Sequence, residues 1–191
     1  TACDLAYLDA AGSAMTGSAA TSYTITNLEP GTTYWTRVSA GHTRGYGMPK
    51  RSAPNSQSPP IQPPTVPLGP YHDATTPLLY VHSASELRVT WGTPTSAGGD
   101  NITKYKLEWD TLDTFDSTSD GYSRLPAGHA FVDALYSQTD YLYTIPNLQN
   151  GTRYYVRVAA FNPTRGYGPY GLTAPVFEIP RRAPDAPTAV S

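Results

Sequence analysis

The stretch GTRYYVRVAAFNPTRGYGPYGLTAP occupies Gly151–Pro175, and about 120 residues earlier GTTYWTRVSAGHTRGYGMPKRSAP occupies Gly31–Pro54. Repetition at a fixed period marks an architecture in which each copy is one structural unit. Inside the later copy Tyr154, Val156, Val158 and Ala160 are apolar, while Tyr155 and Arg157 fall between them. Side chains of a strand point alternately to its two faces, so this period of two predicts a strand with one buried face. The glycine-rich TRGYG that follows predicts a turn, and TAPVFEI (Thr173–Ile179) a return strand.

Working outward, the same alternation recurs. In ELRVTW (Glu86–Trp91), Leu87, Val89 and Trp91 share one face and Glu86, Arg88 and Thr90 the other. In ITKYKLEWD (Ile102–Asp110), Tyr105, Leu107 and Trp109 oppose Lys104, Lys106 and Glu108. YLYTIPNLQNG (Tyr141–Gly151) carries apolar Tyr143, Ile145 and Leu148 into a QNG turn. PLLYVHS (Pro77–Ser83) reads as a first strand. Between Asp110 and Asp140 the pattern weakens, and HAFVDAL (His129–Leu135) is its strongest strand signal.

Composition agrees. Nineteen Pro, sixteen Gly and fifteen Tyr against two Met favour short strands joined by turns over long helices, an all-β protein. A 39% hydrophobic share in 191 residues suffices for a core. The net charge of −2, with 13 Lys plus Arg spread thinly, lacks the basic patch of a nucleic-acid binder. No run approaches the roughly 18 apolar residues of a membrane helix, so membrane insertion is not expected, and TACDLAYLDAAG at the amino terminus lacks the charged-then-apolar order of an export signal. Cys3 stands alone and has no partner cysteine in this chain.

These short strands, a tryptophan on the second of them (Trp91), and the spacing L-x-x-G-T-x-Y-x-x-R-V-x-A from Leu148 to Ala160 together resemble a fibronectin type III module. The resemblance implies an immunoglobulin-like β-sandwich in which Trp91 packs between two sheets. It also implies a tyrosine corner at Tyr154, whose hydroxyl bonds to upstream backbone, with Leu148 beside it. Tyr105 joins that core by its alternation. The first copy carries Leu28, Gly31, Thr32, Tyr34, Arg37, Val38 and Ala40 at matching places, so Leu28 and Tyr34 are the equivalent core positions of a second such module. By the same spacing its first three strands would precede residue 1.

Domain boundaries follow from composition. Residues 1–58 read as the C-terminal part of one module, 59–70 as a Pro-rich linker, 71–181 as a complete module and 182–191 as the start of a third. The linker lies within RSAPNSQSPPIQPPTVPLGP (Arg51–Pro70), whose proline content predicts extended, stiff backbone. The repeat exceeds the roughly 100 residues of such a sandwich. The excess falls in this Pro-rich stretch and in TLDTFDSTSDGYSRLPAG, and loops absorb such insertions at small entropic cost.

Candidate sites each carry two readings. TRGYG at Thr43–Gly47 and Thr164–Gly168 is either a binding loop, with Arg165 and Tyr167 exposed for contact, or a shared turn in which Gly45, Gly47, Gly166 and Gly168 permit positive φ and the tyrosine packs back. The integrin-binding Arg-Gly-Asp of the family is absent. Trp35 and Tyr155 share one outward position beside Arg37 and Arg157, as a cross-strand ladder or a contact surface. Asp110, Asp113, Asp116 and Asp120 line one polar stretch without the spacing of a calcium loop, and His42, His72, His82 and His129 have no paired spacing for zinc. Asn101 (NIT) and Asn150 (NGT) are acceptor sequons for N-glycosylation.

No nucleophile elbow, phosphate-cradling loop or carboxylate pair is present, so no catalytic residue, cofactor or metal is assigned and no enzyme activity is expected. The expectation is a structural or adhesive spacer of a larger extracellular or cell-surface repeat protein, in contact with neighbouring modules, with other proteins, or with further copies in a filament. The alternative is a carrier module flanking the catalytic domain of a secreted carbohydrate-active enzyme.

Overall fold

Alternation along six-residue runs dictates strands, and strands with one apolar face must lay that face on another sheet. The structure, a computed structural model, describes residues 22–72, 75–117 and 127–182. The chain divides into two units, Thr1–Pro60 and Ile61–Ser191. Cys3, Asp120 and the expected third module beyond residue 182 lie outside the described residues.

In the first unit β1 (Tyr34–Val38) pairs antiparallel with β4 (Lys50–Gln57), Tyr34 opposite Gln57 and Val38 opposite Lys50. The short strands β2 (Gly41–His42) and β3 (Gly45–Tyr46) close the loop between them. None of the described residues of this unit is buried, and among them no second layer covers the hairpin.

The second unit is a sandwich. One sheet contains β5 (Leu78–Ser83), β6 (Glu86–Gly92) and β9 (Asp140–Ile145), with β6 central. The other runs in the order β8 (Gly128–Asp133), β7 (Lys104–Asp110), β10 (Tyr154–Asn162) and β12 (Gly171–Glu178), with the short β11 (Gly166–Tyr167) beside the end of β10. A parallel contact at Ala174 and Leu78 joins β12 to β5. Leu87, Val89 and Trp91 from one sheet meet Tyr105, Leu107, Val156 and Val158 from the other, all fully buried. Trp91 meets Tyr105 edge-on at 5.6 Å and stacks on Tyr141 at 5.7 Å, and such pairs add about 0.5–1.5 kcal/mol each beyond burial. Trp109, at the end of the inward row, is only half-buried and lies beside Tyr143.

The expected linker over residues 59–70 is not observed as such. From Ile61 onward it is an arm of the second unit, which begins there and not at residue 71. The Gln62 amide donates to the Gly98 carbonyl (2.8 Å), the Thr65 amide to Ser96 (2.9 Å), and the Gly92 amide to Leu68 (2.9 Å). Proline content alone does not separate a free spacer from a paired strand, because the N–H groups of Gln62 and Thr65 remain available between the prolines. The arm fits against glycines: a Cβ on Gly98 would collide with the Gln62 carbonyl oxygen, and one on Gly168 with that of Pro64. Asn162, fully buried, clasps it. Its Nδ2 donates to the carbonyls of Gln62 and Ala97, both at 2.9 Å, and its Oδ1 accepts from the Arg165 amide at 2.8 Å.

Denaturant melts of residues 61–181 and 71–181 should therefore differ, the longer fragment unfolding cooperatively with the higher midpoint. Asn162→Ala in the longer fragment should cost about 2 kcal/mol, since it removes two hydrogen bonds to backbone carbonyls and one from the Arg165 amide. Equal midpoints for the two fragments would show that the arm contributes nothing.

Candidate interaction surface

The repeated words fold into repeated geometry. In the second unit the Gln149 amide donates to the Tyr154 hydroxyl oxygen at 3.0 Å; in the first, the Glu29 amide donates to Tyr34 at 3.0 Å. The Gly151 amide donates to Pro180 (3.0 Å) and the Gly31 amide to Pro59 (2.9 Å). Gly151 and Gly31 hold φ of 78° and 73°, a left-handed conformation that a β-carbon would strain. Both hairpins shift register just after the aromatic at Tyr155 or Trp35, and the Ala174–Pro175 and Ala53–Pro54 bonds are both cis. Tyr154 and Leu148 are buried, whereas Tyr34 and Leu28 are half-buried. One such corner hydrogen bond contributes about 1 kcal/mol.

Above the core, the outward face of the β8–β7–β10–β12 sheet pairs its charges internally. Arg157 donates to Glu108 through Nε (2.8 Å) and Nη2 (2.6 Å), and Lys106 lies 2.5 Å from the same carboxylate. The Arg157 guanidinium is sandwiched between the rings of Phe115 (4.1 Å) and Tyr170 (4.2 Å). Burial alone would raise the Glu108 carboxyl, but hydrogen bonds from Lys106, Arg157 and Tyr170 outweigh it and hold the group below the usual glutamate range. Glu108 in turn holds the Lys106 ammonium above its usual range.

Tyr155 is half-buried in a cross-strand ladder with Phe177 (5.7 Å), over which Arg153 also lies (4.2 Å). Its neighbour Arg157 turns away to Glu108. Trp35, opposite Ser56 where Tyr155 has Phe177, is 73% exposed, beside an open hollow of about 400 Å3 lined by Arg37, Arg51 and Asn55.

In the second TRGYG loop Tyr167 packs on Phe161 at 4.8 Å, with Lys104 over Phe161 at 4.5 Å, while Arg165 is exposed. Thr164 anchors the loop, its amide and hydroxyl donating to Asp100 at 3.2 and 2.7 Å. Only two of the four glycines read as positive-φ residues are so: Gly166 at 86° and Gly45 at 127°. Gly168 is required instead by the close approach of Pro64. Tyr155 and Tyr167 thus sit toward opposite ends of β10 and do not converge on one site.

Of the carboxylate stretch, Asp113 and Asp116 are exposed, as in a solvated loop, and Asp110 alone of the described three is not. Asp110 is buried and folds the turn after β7, accepting from the amides of Leu112 (3.0 Å) and Ser117 (3.1 Å) and from the Ser117 hydroxyl. His82 contacts Arg88 and Glu86, and His129 lies edge-on to Phe131. Among the described residues no three metal-ligating side chains gather. Asn101 and Asn150 are both exposed, Asn150 in the turn before β10. The clasp Asn162 and the Glu108–Arg157 pair were not singled out by the residue pattern; the visible signal was a carboxylate and an arginine on the polar faces of two neighbouring strands.

The fibronectin type III domain model matches residues 79–176, just over half of the chain. The chain belongs to the fibronectin type III domain family. A mouse ankyrin-repeat and fibronectin type III domain-containing protein is 35% identical over 102 residues, which is 53% of this chain and 7% of that protein. Human fibronectin type-III domain-containing protein 3A is 29% identical over 147 residues, 77% of this chain and 10% of its own length. The chain therefore spans a tenth or less of these relatives. Among solved structures, domains d3–d4 of the rat CD45 extracellular region align at 17% identity with a TM-score of 0.47, covering 89% of this chain and 78% of that one. The sixth fibronectin type III domain of a human fibronectin type III domain containing protein aligns at 22% identity and a TM-score of 0.39, covering 67% and 95%.

The Glu108 carboxyl gives this fibronectin type III sandwich a pH dependence of definite sign. Because its folded-state pKa lies below the unfolded value of about 4.3, its stabilisation is present above that pH and is lost as pH falls through the folded value. Glu108→Gln should thus be less stable than the parent at pH 7, and the gap should close on acidification below about pH 4, as read by urea melts across pH.

Proposed function

We propose that the chain is a non-catalytic segment of tandem fibronectin type III modules that spaces and presents surfaces within a larger protein. One observation carries this reading: the corner, the glycine turn and the shifted hairpin register recur residue for residue about 120 positions apart. A hairpin with the corner of a sandwich, none of whose described residues is buried, is best understood as the later strands of a module. The polar side chains of the sandwich support the non-catalytic part, since Asp110, Glu108 and Asn162 are all engaged in holding the fold. The partners of such a segment are neighbouring modules, other proteins or further copies in a filament.

The spacer role rests on the connection at Pro59–Pro60, where Pro59 is itself bonded to the Gly31 amide, and on the clasped arm that follows. Both shorten the free linker that proline content suggested. Small-angle scattering on a chain of two complete modules tests it. A maximum dimension near the sum of two module lengths is expected; one near that of a single compact globule would overturn the spacer reading.

We assign the segment to an extracellular or cell-surface setting on the two sequons, both on exposed positions. Glycopeptide mass spectrometry of material secreted from eukaryotic cells should find Asn150 occupied. An unmodified Asn150 in such material would count against that setting.

A further inference from the structure

The two sheets of the second unit treat their outer faces differently. On the β8–β7–β10–β12 sheet the cations are matched, Arg157 and Lys106 by Glu108, Lys104 and Arg153 by aromatic rings. On the β5–β6–β9 sheet Arg88 stands on the middle strand, in register between Tyr80 and Thr144. One guanidinium nitrogen lies 3.2 Å from His82 Nε2, but Arg88 Nε is buried without an acceptor, and among the described residues no carboxylate lies within ion-pair distance of it. Two residues along β6, Thr90 Oγ1 is also buried and unpartnered, in register between Leu78 and Leu142. Tyr80 and Leu142 are 45% and 53% exposed.

Two carboxylates of this sheet are bonded elsewhere. Glu86 accepts from the Ser83 hydroxyl at 3.0 Å, and Asp140 accepts from the Tyr71 amide and the Thr139 hydroxyl. Arg88 Nε is sealed from solvent, but the guanidinium end beside His82 is exposed, and a partner's carboxylate there would make a charge-assisted hydrogen bond. Tyrosine and arginine surrounded by aliphatic groups are also the composition of protein interface centres.

We propose that the outer face of the β5–β6–β9 sheet docks an acidic polypeptide segment, with one carboxylate on Arg88 and aliphatic side chains against Leu78, Tyr80 and Leu142. A single cation does not suit an anionic membrane, which is held by clusters of basic residues. A second copy laid face to face would offer Glu86 from this same face, a carboxylate already bonded to Ser83 and lying 3.9 Å from His82. The proposal deepens the presentation half of the function given above; scattering reads the spacer half, so either can fail alone.

The test is a titration of the isotopically labelled full chain, followed by NMR, with a peptide of alternating Glu and Val and with its Lys–Val and Gln–Val counterparts. The Glu–Val peptide should shift Leu78, Tyr80, Arg88 and Leu142 and bind more tightly than the Gln–Val peptide, with the Lys–Val peptide weakest. Arg88→Gln should weaken the Glu–Val peptide about tenfold or more, the cost of losing a charge-assisted hydrogen bond. Leu142→Asp, at an exposed position, should weaken it through like charge whether or not Arg88→Gln folds well. Equal response to all three peptides, or shifts centred on Lys104 and Arg157, would overturn the proposal. So would concentration-dependent shifts of this face in the chain alone, which would identify a second copy as its occupant.

Discussion

Trp91 touches both sheets, and the rest of the sandwich is arranged around that contact. Its indole stacks on Tyr141 from the adjacent strand and meets Tyr105 across the interior, while Tyr105 and Tyr141 close the triangle at 4.6 Å. Three large rings that fit only together fix how the sheets are offset, and the smaller Leu and Val residues fill what remains. Burial raises the pKa of both tyrosines, which keeps their hydroxyls neutral far into alkaline conditions. The hairpin of the first unit has Tyr34 and its corner but no equivalent of this triangle among its described residues, and none of them is buried.

The polar groups divide the labour in the second unit. Asp110 and Asn162, both buried, are bonded mainly to backbone amides and carbonyls and so shape loops. Glu108, at the surface, gathers two cations and a tyrosine, turning what would be a basic face into a matched one. Among the described residues Arg88 has no carboxylate partner, and that asymmetry between the two outer faces is what distinguishes them chemically.

The alternating strands were legible because period two is a direct consequence of strand geometry: Leu87, Val89 and Trp91, or Tyr154, Val156 and Val158, declare a buried face by spacing alone. The tyrosine corner was legible because Gly151 and Tyr154 are locked three apart by one turn. The arm was not, since a run such as SPPIQPP has the same preferred backbone whether solvated or paired, and only Gly98 and Gly168, about 36 and 104 residues away, betray its path. Pairings such as Arg157 with Glu108, or Asn162 with Gln62, depend on which strands become neighbours, so no local pattern announces them. The same holds for Tyr155, whose partner is set by the residue across from it, Phe177 here and Ser56 opposite Trp35.

The clasped arm also defines a path for mechanical load. Within the second unit the arm is bound at the loops following β6 and β10, whereas the chain leaves β12 beside the corner, where the Gly151 amide holds Pro180. Tension applied at residues 61 and 182 would therefore run along the length of the strands. Its first resistance would come from the few hydrogen bonds of Gln62, Thr65 and Leu68, and peeling the arm would leave the ring-packed core intact. The arm is thus placed to act as an extensible element in series with a stiffer body, lengthening a stretched chain before any sheet opens.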